Sequence, residues 1–275
     1  MAYAYRDGLA VGVDVGSVTA KAVVYDSDAN QVLASALKPT GWHPRERGLE
    51  IFREALEQAR VEEHQVGCVV GTGYGRAQLP FACHTTTEIT CHATAVRHLV
   101  PGARTVIDVG GQDCKVIALD PDGRVRDFAM NDRCAAGTGR FLEVMARALE
   151  VDLDGFGRLA LASDRPAAVS SMCTVFAESE VISLLAGGAA LEDVVAGIHE
   201  AIAKRILDMG SKVGIEGKVV LSGGGGRNVG LRRALERNLG YSVEVSPHPQ
   251  LAGALGAALV AASRLRAVLE RVTTW

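Results

Sequence analysis

The chain has 275 residues, 48% of them apolar and 22% charged, with 29 basic against 32 acidic side chains and a formal net charge of −3. That length suits one large core or two linked cores of about 130 residues each, and the balance leaves no basic footprint for nucleic acid and no polybasic membrane patch. No N-terminal apolar h-region appears after MAYAYRDG, so no signal peptide is expected. LAGALGAALVAA, near the end, reads as too short and too rich in Gly and Ala to span a bilayer. Six cysteines without a CxxC pair point to metal ligands, redox residues or small core side chains rather than a disulfide set. The expected location is cytoplasmic.

From the N-terminus, LAVGVDVGSVTAKAVVYD places strand-like runs Leu9–Val13 and Ala20–Tyr25 around a polar turn, a hairpin pattern. Asp14, Gly16, Ser17, Thr19 and Lys21 lie in or beside that turn. Glycine lets backbone approach an oxyanion, hydroxyls donate to it and lysine adds charge; an ordinary hairpin with a polar turn is the competing reading. Val32–Pro39 reads as a strand, Pro44–Arg60 as a helix, and Val66–Thr72 as a buried strand ending in a glycine turn, with Cys68 in the core. Cys83 and His84 fall in a loop. In the helix Glu88–Leu99, Cys91 and His92 are adjacent and point to different faces, so both are assigned to packing.

The opening pattern returns at Thr105–Leu119, TVIDVGGQDCKVIAL, with Asp108, Gly110, Gly111, Gln112, Asp113 and Lys115. Cys114 reads as structural. Two DxG hairpins, each opening a βαβ-type stretch, suggest two related domains with a polyphosphate held by one hairpin of each. Asp14 and Asp108 would then hold Mg²⁺ directly or through water, because Mg²⁺ prefers carboxylate and water oxygens.

Asn131–Glu143, NDRCAAGTGRFLE, opens an amphipathic helix running to about Glu150, with Phe141, Met145 and Leu149 recurring and Thr138 or Gly139 as its cap. Cys134 is thereby expected just before a helix N-terminus, where peptide dipoles favour a thiolate. Cys173 has the same setting, ahead of a helical run through Leu185. A long helix Leu191–Val213, a strand Lys218–Leu221 and the Gly-rich turn SGGGGRN follow. Strand, glycine turn and helix together let a ligand lie against bare backbone. Tyr241–Val245 reads as a strand and Gly253–Ala262 as a small-residue helix.

DVGSVTAK, DVGGQD, SGGGGRN and GALGAA, in that order, resemble the phosphate-1, phosphate-2, adenosine and connecting motifs of the acetate kinase, sugar kinase, Hsp70 and actin superfamily. Within it, NDRCAAGTGRFLEVMA and SSMCTVFAESEVISLL resemble the ATP-dependent activators of 2-hydroxyacyl-CoA dehydratases. The same branch holds the ATPase subunits of benzoyl-CoA reductases. The resemblance implies an α/β fold of two ribonuclease H-like, actin-like ATPase domains, 1–104 and 105–275, facing a nucleotide cleft, with the last helix able to pack back on the first.

It further implies ATP or ADP with Mg²⁺ at Asp14 and Asp108. Gly16, Ser17, Thr19, Lys21, Gly110, Gly111 and Gln112 would surround the phosphates, and Gly223, Gly224, Gly225, Asn228 and Gln250 the adenosine. Gln112, Asp113 and Glu88 are all candidates to orient the attacking water. Cys134 and Cys173 would be two of four ligands to a 4Fe-4S cluster shared across a dimer. The partner would be a dehydratase or reductase iron–sulfur protein, with reduced ferredoxin or flavodoxin as electron donor, and neither nucleic acid nor membrane. Two other classes stay open: a small-molecule kinase of the superfamily, and a non-enzymatic actin-like or zinc-stapled assembly protein.

Overall fold

The computed structural model describes residues 8–131, 134–170 and 173–273. The chain forms two compact units: one runs through Leu99 and resumes at Leu251, and the other is Val100–Gln250.

The first unit is built on a five-stranded mixed sheet of order β3-β2-β1-β4-β5. Its strands are β1 (Leu9–Val15), β2 (Thr19–Asp26), β3 (Gln31–Pro39), β4 (Cys68–Thr72) and β5 (His84–Thr85). β1 pairs antiparallel with β2 and parallel with β4. Every residue of β1 is buried, as a central strand covered on both faces requires, and this is why Leu9–Val13 reads as an apolar run ahead of Asp14. Helix α1 (Pro44–Ala59) packs on β1, β2 and β3, while α2 (Glu88–Leu99) and α8 (Ala252–Thr273) pack together, with α8 lying on β1, β2 and β4. The approach of α8 is possible because β1 carries Gly12: a Cβ there would overlap the Ala254 carbonyl oxygen.

The second unit repeats this plan. Its strands are β6 (Ala103–Val109), β7 (Cys114–Leu119), β8 (Val125–Asn131), β9 (Lys218–Ser222) and β10 (Glu244–Val245). The sheet order β10-β9-β6-β7-β8 is the first sheet read backwards. The antiparallel pair β6–β7 and the parallel pair β6–β9 take the places of β1–β2 and β1–β4. Among the described residues, five α-helices complete the unit: α3 (Gly139–Ala148), α4 (Leu153–Ala160), α5 (Thr174–Ala186), α6 (Leu191–Gly210) and α7 (Val229–Leu239). They bury one continuous core that includes Phe141, Met145, Phe156, Ile198 and Leu231.

Several sequence expectations need correction. His84 and Thr85 form a short strand rather than a loop, and the last strand of the second sheet is only Glu244–Val245. The terminal helix runs 22 residues, well beyond Gly253–Ala262, and is long and apolar enough to cross a membrane. Half of its most apolar window is nevertheless buried within the protein, which is the behaviour of a core helix. The patterning also missed β8 and α4. β8 is a largely exposed edge strand with no apolar alternation to read, and α4 is only eight residues long.

Candidate functional site

In each unit the hairpin turn aligns one carboxylate with one lysine by register. Asp14 lies opposite Lys21 across β1–β2, and Asp108 opposite Lys115 across β6–β7. The side chains meet at 3.1 Å and 3.3 Å. The turns close alike, with Gly16 N–H donating to the Thr19 carbonyl at 3.1 Å and Gly110 N–H to the Asp113 carbonyl at 3.0 Å. Lys115 also reaches Asp113 at 2.8 Å and is 2% exposed.

The parallel neighbour strand ends beside each carboxylate. Asp14 pairs with Thr72 and Asp108 with Ser222, and the next residue is a glycine of positive φ, Gly73 at 88° and Gly223 at 77°. A Cβ on Gly73 would stand 2.5 Å from Asp14 Oδ1, and one on Gly223 would overlap Asp108 Oδ1. Only glycine fits here, both for conformation and for space. Thr72-Gly73-Tyr74-Gly75 is thus the first unit's counterpart of Ser222-Gly223-Gly224-Gly225. Sequence reasoning singled out the second as a ligand wall but read the first only as a glycine turn, although TGxG after a strand was the available signal.

Asp14 is walled on its other side by Gly253 of α8, where a Cβ would lie 2.7 Å from Oδ2 and 3.3 Å from His92 Nε2. His92, assigned to packing from the sequence, therefore borders the Asp14 carboxylate. Asp14 Oδ1 is buried and has no hydrogen-bond partner. An unsatisfied buried carboxylate oxygen is costly, and a hard cation or its water shell would satisfy it, so these residues fit Mg²⁺.

In the glycine stretch, Gly224–Arg227 makes a single 3₁₀ turn rather than an open loop, and Gly223 N–H donates to the Pro249 carbonyl at 2.9 Å. Gln250 accepts from Arg227 at 3.2 Å. Asn228 caps α7: its Oδ1 accepts from Leu231 N–H at 2.8 Å and lies 3.1 Å from His199 Nε2, while its Nδ2 is buried without a partner. His199 sits at 1% exposure, and burial holds its pKa below the usual imidazole range. Gln112 and Val18 lie exposed at the tips of the two turns, with Ser17 half-buried.

Cys134 and Cys173 are both exposed, but their settings differ: Cys173 stands directly at a helix start, as expected, and Cys134 does not. Cys173 is the N-cap residue of α5 and spends no side-chain atom on capping. Cys134 lies four positions ahead of Thr138, the cap of α3, and its carbonyl accepts from Asn131 Nδ2 at 3.0 Å. The first amides of α3 face elsewhere. Gly139 N–H donates to the Gly110 carbonyl at 2.8 Å and Arg140 N–H to the Gly111 carbonyl at 2.9 Å. The helix start is therefore stitched to the second hairpin turn. Gly139 permits this, since a Cβ there would sit 3.0 Å from the Gly110 oxygen. Asp132, Arg133, Ser171 and Met172, which belong to the two cysteine motifs, lie outside the described residues.

Helices α3 and α5 pack against each other. Among the described residues no group of three or more His, Cys, Asp and Glu side chains could hold a metal ion. The exposed thiols of Cys134 and Cys173 would make half of the four-thiolate set a 4Fe-4S cluster takes, so their donor chemistry fits a cluster completed by a second copy. Of the remaining cysteines, Cys91 and Cys114 are buried. Burial pushes the Cys91 thiol up to about 12 and the Cys114 thiol higher still.

Residues 11–261 match the sequence profile of the BadF/BadG/BcrA/BcrD ATPase family. A 2-hydroxyisocaproyl-CoA dehydratase activator of Clostridioides difficile is 44% identical over 91% of this chain and 94% of its own. A benzoyl-CoA reductase subunit of Thauera aromatica is 32% identical over 93% and 94%. Among solved structures, component A of the Acidaminococcus fermentans (R)-2-hydroxyglutaryl-CoA dehydratase superposes with a TM-score of 0.89 at 42% identity, covering 94% of this chain and 99% of its own. The C. difficile 2-hydroxyisocaproyl-CoA dehydratase activator with bound ADPNP gives 0.88 at 42% identity, covering 96% and 97%. A ROK-family glucokinase of Streptomyces griseus, at 14% identity and a TM-score of 0.61 over 93% of this chain and all of its own, shares the fold alone. The two repeated mixed sheets are those of the actin-like ATPase fold.

Proposed function

The chain belongs to the BadF/BadG/BcrA/BcrD ATPase family and is an ATPase, and from that premise we propose that it spends ATP to drive low-potential electron transfer to a partner 2-hydroxyacyl-CoA dehydratase. The observation that carries the coupling is the pair of hydrogen bonds from Gly139 and Arg140 to the Gly110 and Gly111 carbonyls. Whatever displaces the Gly110–Gly111 turn must displace the first turn of α3, and with it the segment that begins at Cys134.

In this reading Asp14 and Asp108 hold Mg²⁺ through oxygen, directly or by water. When bound, the ion would supply charge neutralisation for the phosphates. Lys21 and Lys115 hold the carboxylates in register. The Ser17 and Gly111 amides and the Thr19 hydroxyl would face the phosphates, with Gly16 and Gly110 closing the two turns beside them, while Gln112 is the exposed side chain that would orient water. Gly223, Gly224, Gly225 and Gln250 form the adenosine wall. Asn228 is engaged in capping α7 and acts by holding that wall in place.

Cys134 and Cys173, with the same pair from a second copy, would hold one 4Fe-4S cluster, which supplies a one-electron carrier. Exposed apolar side chains on α5 support a two-copy arrangement: Phe176, three positions after Cys173, stands 67% exposed, and Ile182, farther along the helix, 52%. A benzoyl-CoA-type reductase as the partner is the second reading, favoured by the Thauera relative. It makes the same demands on this chain.

The test is iron and acid-labile sulfide on anaerobically purified protein, with EPR of the dithionite-reduced form with and without ATP. About two irons per chain and a nucleotide-sensitive signal are expected. Cys134→Ser and Cys173→Ser should each abolish the cluster while ATP still binds. Protein that stays iron-free after anaerobic reconstitution leaves the ATPase standing and removes the electron-transfer reading.

A further inference from the structure

Two cysteines of the first unit have no part in that chemistry. Cys68 opens β4 and Cys83 directly precedes β5, and the parallel ladder of these strands sets Val70 opposite His84. Cys83 N–H donates to the Val69 carbonyl at 3.0 Å and Thr86 N–H to the Gly71 carbonyl at 2.9 Å. The ladder fixes the Cys83 backbone beside Val69, the chain neighbour of Cys68, and the two sulfurs lie 2.6 Å apart. This separation discriminates between chemistries. A tetrahedral metal with M–S bonds of about 2.3 Å keeps its sulfurs roughly 3.8 Å apart, whereas a disulfide brings them to about 2.0 Å. The sulfurs lie inside nonbonded contact and within reach of a disulfide bond. Cys83 is exposed and Cys68 half-buried, so a reagent can reach one sulfur and the other stands behind it.

We infer that Cys68 and Cys83 form a dithiol modification site that closes reversibly to a disulfide by exchange with a low-molecular-weight disulfide. The Cys83 thiolate attacks one sulfur of the reagent, RSSR, forming a mixed disulfide and expelling RS⁻, which takes up the proton that Cys83 lost. The Cys68 thiolate then attacks the Cys83 sulfur and expels the second RS⁻, which takes up the Cys68 proton. Two protein thiols lose two electrons and two protons, and one RSSR becomes two RSH.

The order of attack follows from the surroundings. Burial, and then the adjoining Cys83 sulfur, push the Cys68 thiol up to about 12, so Cys68 is the resolving partner and Cys83 the entering one. The charge of Arg264, which pairs with His84 Nε2 at 2.8 Å, favours the Cys68 thiolate when it forms.

The bridge would close the segment that contains Gly73 and Gly75 into a covalent loop. Gly73 walls Asp14, and Gly75 N–H donates to the Val15 carbonyl at 2.8 Å. The modification therefore braces the backbone behind Asp14, and the geometry that suggests it is independent of the electron-transfer reading.

The experiment treats the intact protein anaerobically with glutathione disulfide, quenches with N-ethylmaleimide and maps peptides by mass spectrometry. Cleavage after Arg76 separates the two cysteines. The expected product is a Cys68–Cys83 cross-linked peptide pair, lighter by two hydrogens, that dithiothreitol returns to two free thiols. Its formation should raise the thermal midpoint by several degrees, since the closed loop restricts the unfolded chain. In Cys68→Ser a glutathione adduct should persist on Cys83, whereas in the wild type it should be resolved. Wild-type protein that keeps glutathione on Cys83 as durably as Cys68→Ser, or that yields both cysteines alkylated and no cross-link, overturns the inference.

Discussion

Replacing Gly253 by alanine should separate the stability of this protein from its activity. Gly253 lies in the first turn of α8, where alanine is favoured over glycine by about 1 kcal/mol of helix propensity. Gly253 has no positive φ to forbid the change. The new methyl would nevertheless start 2.7 Å from Asp14 Oδ2 and 3.1 Å from its Cγ. Comfortable contact for carbon is about 3.5 Å, so the carboxylate has to retreat by roughly 0.8 Å. It has little room to do so. Oδ2 is held by Lys21 at 3.1 Å, and Gly73 lies close behind Oδ1. A misplacement near 1 Å of a group that positions the reacting phosphate costs about 100-fold. A loss of about 10- to 100-fold in kcat, or roughly 1.4–2.7 kcal/mol of transition-state stabilisation, is therefore expected, with the thermal midpoint unchanged or raised. The assay is steady-state phosphate release across a Mg²⁺ titration, beside a thermal melt. Hydrolysis within about twofold of wild type, with an unchanged Mg²⁺ requirement, would remove Asp14 from the ion's coordination.

Three further outcomes follow from packing and charge. Lys115→Met leaves Asp108 and Asp113 beside an uncharged side chain at a site 2% exposed; a loss of about 3–5 kcal/mol in denaturant-measured stability is expected, and a loss under about 1 kcal/mol would show that the pair is not a buried charge couple. Gly256→Ala drives a methyl into the Cys91 backbone carbonyl, which cannot rotate away, so α8 must lift off α2 at a cost of about 2 kcal/mol despite the better helix former; chemical denaturation decides. His199 binds its proton less readily folded than unfolded, so its contribution is full above about pH 6.5 and is lost as pH falls from there toward the folded pKa, with a slope of at most about 1.4 kcal/mol per pH unit. Comparing wild type with His199→Gln between about pH 5 and 6.5 isolates that slope, and equal slopes in the two proteins would refute it.

The local patterns that the sequence determines are those with short-range causes. The hairpins around Asp14 and Asp108 follow from apolar runs flanking a DxG turn, and the Asp14–Lys21 and Asp108–Lys115 pairs follow from hairpin register, which local turn geometry sets. The amphipathic run of α3 was legible because Phe141 and Met145 recur at helical spacing, and both are buried. The family resemblance was legible in motifs quoted whole from the chain. What only the tertiary structure decided is set by pairing between distant segments. Parallel strands β1 and β4 are separated in the chain by β2, β3 and α1, so nothing near Asp14 in sequence indicates that Gly73 lies against its carboxylate. Gly253 and His92 reach the same carboxylate only because α8 returns to pack on α2 and β1. Cys134 was expected at a helix start, but the dipole end of α3 is taken by the Gly110 and Gly111 carbonyls, a contact between a turn and a helix that no periodicity encodes. Cys68 was expected in the core, and it stands half-buried against Cys83 because two short parallel strands happen to align their ends. Hydrophobic period and turn chemistry act within a few residues. Which carboxylate is walled, which amide is satisfied and which thiol meets which depend on loop closures that are only made when the chain is folded.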